Sequence, residues 1–107
     1  MTKNERRKRL ENDLKVKLKE KGVTGYIFFD FVEKYMTLWD IAERLKADIE
    51  KRGVSVEYHN GGGQDGYKKN DSTQEYIKTV DRMQRLLDQM KIKVEDEKPN
   101  EEAEPLI

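Results

Sequence analysis

From about Tyr26 to Arg52 the apolar residues Phe28, Val32, Tyr35, Trp39, Ala42, Leu45 and Ile49 recur at spacings of four, three, four, three, three and four. That period is close to the seam of a coiled coil and does not suit a strand. The segment therefore reads as one helix of about 27 residues, roughly 40 Å long at 1.5 Å per residue. Gly53 supplies its stop. Ile27, Phe31, Leu38 and Ile41 widen the apolar surface to one side, and Phe29 and Met36 widen it to the other. A stripe this broad exceeds what one partner helix covers, so the expectation is that further copies of the chain help to cover it.

Two more helices flank the long one. Over residues 4–21, Thr2-x-x-Glu5 forms a capping box, Leu10, Leu14 and Leu18 make a narrow stripe, and Gly22 ends the run. Ser72-x-x-Glu75 is a second capping box and opens a helix on which Tyr76, Val80, Met83, Leu87 and Met90 recur at four, three, four and three. The second and third helices match in character and are expected to pack antiparallel as a hairpin. Between them, Val54–Tyr58 alternates and is compatible with a small β-hairpin to Tyr67–Lys69.

Charge is distributed unevenly along a chain whose formal net charge is zero. Residues 1–22 hold nine Lys/Arg against four Asp/Glu, and residues 95–107 hold six acids against one Lys. The expected organisation is a basic N-terminal helix or arm (1–22), a helical-hairpin oligomerisation core (23–94) and an acidic, disordered tail (95–107). Charged residues make up 41% of the chain and apolar residues 35%, a balance typical of long helices that gain stability by assembling. With no Cys and a single His, His59, neither a disulfide nor a zinc site is expected. No apolar run approaches the roughly 20 residues of a membrane span, and the charged start lacks a signal-peptide core. A soluble, intracellular protein that does not engage membranes is the expectation.

The stretch HNGGGQDGYKKN places Gly61, Gly63 and Gly66 at G-x-G-x-x-G spacing. A dinucleotide fingerprint needs a strand before it, a helix opening inside it and a second parallel strand after it. Here the helix signal comes late, at Ser72, and a Walker loop would end Gly-Lys-Ser/Thr where this chain reads Gly-Tyr-Lys-Lys. The glycines read better as the connector that reverses the chain between two long helices. The carboxylates Asp30, Glu33, Asp40, Glu43, Asp48 and Glu50 fall in solvent-facing helical slots, with Asp40 placed to pair weakly with Arg44. No catalytic residue, metal or cofactor is expected.

The basic helix carries more information. Lys3, Arg6, Arg7, Lys8, Arg9, Lys15 and Lys19, with Lys68 and Lys69 of the loop, form the candidate phosphate-contacting set. Such residues bind duplex by displacing counterions and do not read bases. Phe28, Val32, Tyr35, Trp39, Leu45, Ile49, Tyr76, Val80, Met83 and Leu87 form the candidate core and subunit seam.

The wording WDIAERLKADIEKRGVSVE, followed by NGGGQDGYKKNDSTQEYIKTVDRMQRLLDQM, resembles the small terminase subunits of tailed bacteriophages over roughly residues 25–92. The shared order is a long helix, an Arg-Gly break, a Val-rich segment, a Gly/Asn loop, Lys-Lys-Asn, and a helix with Met83-Gln-Arg-Leu86-Leu87. The resemblance implies a non-enzymatic packaging factor in the cytoplasm of an infected or lysogenic bacterium. It also implies closed rings of about eight to twelve copies. Their partners would be viral double-stranded DNA at its packaging start and the large subunit, which holds the ATPase and nuclease. The expected fold is all-α: a long antiparallel hairpin with a basic N-terminal helix, assembling as a ring. Many family members carry a separate helix-turn-helix domain, for which residues 1–24 are too short. The rival readings are a dimeric coiled-coil DNA-binding regulator or helical adaptor, and an enzyme using nucleotide at the glycine loop.

Overall fold

In the computed structural model, the described residues are 1–53, 55–60 and 64–92. Five elements follow one another: α1 (Lys3–Glu20), α2 (Gly25–Arg52), β1 (Ser55–Asn60), β2 (Gln64–Lys69) and α3 (Asp71–Gln89). Helix α2 is the spine. Its 28 residues span about 42 Å at 1.5 Å per residue. Both other helices pack against it, and all three share one apolar cluster.

Helix α1 begins where its capping box places it, with the Thr2 hydroxyl accepting from the backbone N–H of Glu5 at 3.1 Å. It ends in a Schellman turn: Val23 N–H reaches Leu18 C=O at 3.0 Å and Gly22 N–H reaches Lys19 C=O at 2.9 Å. Gly22 has φ +80°, a conformation that costs an L side chain about 1 kcal/mol or more. The turn sends α2 back antiparallel to α1, so that Arg7 meets Asp40 at one end and Lys19 lies over Phe28 at the other.

The width of the α2 stripe has an intramolecular explanation. Leu14 and Leu18 of α1 are buried in the same cluster as Phe28, Phe31, Val32, Tyr35, Met36 and Trp39, with Leu10 and Val23 packed at its edge. Met83, Leu86, Leu87 and Met90 of α3 press on that cluster as well. Two helices of the same chain thus cover much of the surface expected to require other copies. What stays outside is smaller: Tyr26 is 94% exposed, Ile27 68% and Phe29 65%.

The connector is a two-stranded antiparallel sheet, longer than the sequence suggested. Ser55 faces Lys69, Tyr58 faces Gly66 and Asn60 faces Gln64. Val54 and Gly61–Gly63 lie outside the described residues. Gly66, the last glycine of the motif, lies in β2, and the first helix after it starts at Asp71. A pyrophosphate needs backbone N–H groups at a helix N-terminus, and α3 opens five residues after Gly66.

Helix α3 does not use the predicted cap. Its N-cap is Asn70, whose Oδ1 accepts from Ser72 N–H at 3.0 Å. Ser72 turns its hydroxyl to Asp48 of α2 instead. Asn70 is fully buried, and its Nδ2 donates to Gly53 C=O at 2.9 Å while Arg52 Nη2 donates to its Oδ1 at 3.1 Å. One amide therefore closes the end of α2, the base of the ribbon and the start of α3. A buried amide with its groups satisfied is stable, and removing it would strand several of them.

Asp48 is held in the same cluster. Arg52 binds it through two 2.7 Å hydrogen bonds, and Ser72 adds a third donor. These donors hold its carboxyl well below the usual value, at about 2. A depressed folded-state pKa means that the unfolded chain takes up the proton first. The contribution of Asp48 is complete above its ordinary pKa and is lost as pH falls through about 2. In Asp48→Asn, the part of the melting-temperature loss between about pH 4 and pH 2 that comes from this group should vanish. Parallel thermal melts over that window check it.

The C-terminal end of α3 repeats the Schellman geometry with a poorer residue. Ile92 N–H bonds Leu87 C=O at 2.9 Å and Lys91 N–H bonds Asp88 C=O at 3.0 Å, with Lys91 at φ 58°. Lys91→Gly should raise stability by about 0.5–1 kcal/mol, since only the backbone of Lys91 is used there. Urea titration of both chains reads this directly.

Candidate nucleic-acid interface

Helix α1 sorts its charges by face. The Leu10, Leu14 and Leu18 side turns to α2. On a helix with 3.6 residues per turn, Lys8, Asn12, Lys15 and Lys19 then fall in one row at spacings of four, three and four. The row is about 16 Å long at 1.5 Å per residue. Lys8 and Lys19 are exposed and Lys15 is half-exposed. Lys15 pairs with Glu11 at 3.3 Å, and the Lys19 ammonium stands 5.6 Å from the centre of the Phe28 ring. Lys3, Lys8 and Arg9 are exposed and have no ion-pair partner among the described residues.

Arg6 and Arg7 are placed differently from the rest of the basic run. Arg7 grips Asp40 with both arms of its guanidinium, at 2.8 and 2.9 Å, and touches Glu11 at 3.3 Å. The Asp40 hydrogen bonds raise the Arg7 pKa, and the same pair lowers that of Asp40. Arg6 reaches Glu43 at 3.4 Å and lies 6.0 Å over the Trp39 ring. These two cations fasten α1 to α2. Asp40 and Glu43 are therefore half-buried partners of another helix, where the sequence suggested carboxylates facing solvent. Asp40 chooses Arg7 over its i,i+4 neighbour Arg44 because a fork-to-carboxylate pair supplies two aligned hydrogen bonds.

The loop lysines stand apart from this row. Lys69 is exposed and donates to Gln74 Oε1 at 3.3 Å, beside the Asn70 corner. That corner lies past Asp48, two turns of α2 beyond the Arg7–Asp40 contact. The side chain of Lys68 lies outside the described residues, as does the whole of 95–107.

A second feature lies between α2 and α3, an open groove of about 240 Å³. Tyr35, Trp39, Tyr76, Val80, Met83 and Leu87 line it, with Glu43, Lys46 and Gln84 at its rim. Phe28, Val32, Tyr35 and Trp39 are buried, while Leu45, Ile49, Tyr76, Met83 and Leu87 are half-buried. Val80 is 41% exposed in the single chain, while its neighbour Thr79 is buried. The Thr79 hydroxyl is satisfied by donating to Glu75 C=O at 2.8 Å, so it can enter the interface without an orphaned polar group. Periodicity counted only apolar side chains and passed over Thr79, Asn70 and the interhelical carboxylates.

Among the described residues, no group of three or more His, Cys, Asp or Glu could hold a metal ion. No helix there is long and apolar enough to cross a membrane. Nothing among curated proteins or solved structures matches the chain. A family model described as "Phage terminase, small subunit" matches residues 12–104. The match runs from the first helix through the ribbon and α3 into the acidic segment. With most of its length inside that model, the chain belongs to the phage terminase small subunit family.

Proposed function

We propose that this chain binds duplex viral DNA at the packaging start and passes it to the large terminase subunit, acting as a ring of identical copies and catalysing no reaction itself. The role in DNA packaging follows from the family. The observation that carries the finer reading is the lysine row of α1, which stays solvent-facing while the leucine side of the same helix is buried. A short row like this makes few phosphate contacts per copy, and several copies held together multiply them. The bacterial cytoplasm is where such DNA would be met.

The ring is supported by what the chain leaves uncovered. Tyr26, Ile27 and Phe29 protrude at the start of α2, and the Trp39–Val80 groove opens further along. Two unlike faces on one chain suit a heterologous contact that closes on itself. Native mass spectrometry should return a closed ring of many copies. A compact monomer at high concentration would sink the ring, and a stable dimer would favour the regulator.

For DNA, Lys8→Gln, Lys15→Gln and Lys19→Gln combined in the full chain should weaken binding to any duplex. The slope of log affinity against log salt should shrink by about 0.9 for each phosphate contact removed in each engaged copy. Arg6 and Arg7 are unsuitable for this test because they pair with Glu43 and Asp40. Unchanged affinity and slope would reject the row as the DNA surface.

A further inference from the structure

We propose that Glu11 is a built-in competitor of nucleic-acid phosphate on α1, held against Lys15 by an ion-pair chain that starts at Asp40 and passes through Arg7. The proposal rests on the DNA reading above and adds to it the residue that limits how tightly each copy binds.

The ion-pair chain is continuous. Arg7 donates to Asp40 from Nε and Nη2 at 2.8 and 2.9 Å, and from Nη1 to Glu11 Oε2 at 3.3 Å. The other oxygen of Glu11, Oε1, stands 3.3 Å from Lys15 Nζ. Each carboxylate oxygen of Glu11 therefore faces a different cation. The two-armed grip of Asp40 fixes the Arg7 guanidinium on α2, and that guanidinium in turn keeps Glu11 at the edge of the row.

The place of Glu11 decides what it does. Lys15 is the central lysine of the row, and Lys8 and Lys19 at its ends have no ion-pair partner among the described residues. A phosphate reaching across the row from either end meets the one lysine whose charge is already offset. It must take the place of a carboxylate there, since both present oxygens to the same ammonium.

That exchange is cheap. The side chains of Arg7, Glu11, Lys15 and Asp40 are 29% to 38% exposed. Pairs this open to water are weak and screened by salt. When a phosphate takes Lys15, Glu11 is not left without a partner, because its second oxygen keeps Arg7. Glu11 thus lowers the affinity of each copy without blocking the row, and binding comes to depend on several copies acting together.

The test compares the full chain with Glu11→Gln and with Asp13→Asn, each titrated with a duplex of arbitrary sequence over a range of salt. Both variants remove one negative charge from α1. Asp13, however, is exposed and lies about 160° around the helix from Lys15. Glu11→Gln should bind tighter at low salt by about twofold or more for each engaged copy. Its plot of log affinity against log salt should steepen by up to about 0.9 per engaged copy. Asp13→Asn should stay close to the parent chain. If Glu11→Gln only lowers the melting temperature and leaves affinity and slope unchanged, Glu11 is a helix staple and the proposal is overturned. Equal gains in both variants would overturn it too, because net charge and not position would then be at work. Absence of duplex binding by all three chains would reject the DNA reading and take the proposal with it.

Discussion

Replacing Leu18 by Ala is expected to lower the unfolding free energy by about 3–4 kcal/mol, in the middle of the range for leucines in sealed cores. Leu18 has no exposed surface and shares one cluster with Leu14, Phe28 and Ile92, residues drawn from α1, α2 and the end of α3. Its side chain is fully enclosed, so a cavity cost adds to the lost transfer energy. The matched control is Val16→Ala on the same helix. Val16 is 53% exposed, and its truncation should stay within about 0.5 kcal/mol. Urea unfolding midpoints for both variants decide the matter. If Leu18→Ala proves as mild as Val16→Ala, α1 is a detachable arm and the three-helix core described above is wrong.

Replacing Trp39 by Ala should cost about 3–5 kcal/mol, the range for truncating a large buried aromatic. Trp39 is 9% exposed and stands in the middle of α2, with Arg6 of α1 over its ring and the α3-facing groove along its edge. Its loss removes apolar area from both interhelical contacts at once. Trp39→Phe keeps an aromatic ring on the same face and should recover more than half of the deficit. A neutral shift in the melting curve of Trp39→Ala would mean that α2 is not packed through this residue. If the Trp39 groove is also a contact between copies, assembly should fall in the Ala variant before the fold does, which native mass at several concentrations separates.

Local features were readable from the chain because the forces behind them act within one or two turns. The spacing of Phe28, Val32, Tyr35 and Trp39 implied a long helix with a buried side, and all four are buried. The Thr2 cap and the stops at Gly22 and Gly53 depend on residues three to five apart, and they are found as expected. The family resemblance was likewise readable in the local wording from Trp39 to Met90.

What local reading could not resolve gathered where a distant partner competes with a neighbour. Ser72 looked like a cap, yet Asp48, 24 residues earlier, takes its hydroxyl and Asn70 takes the capping role. Arg6 and Arg7 were indistinguishable from Lys8 and Arg9 within one charge run. Only the crossing of α1 over α2 shows that two of them meet Asp40 and Glu43, 33 and 37 residues away. Val80 fitted the heptad as well as Met83 did, yet within one chain it is Thr79 that is buried while Val80 is 41% exposed.

Amino-acid order alone settled the number of helices, their lengths and most of their ends, since hydrogen bonds along a helix and the side-chain period need no knowledge of the rest of the molecule. It also settled that one end is basic and that an acidic segment follows the last helix. Which basic side chains stay available for a partner, and how much of the α2 stripe is left for another copy, depended on how α1 and α3 lie against α2. Those outcomes are set by contacts between residues far apart in the chain, where a side chain's role depends on what happens to face it.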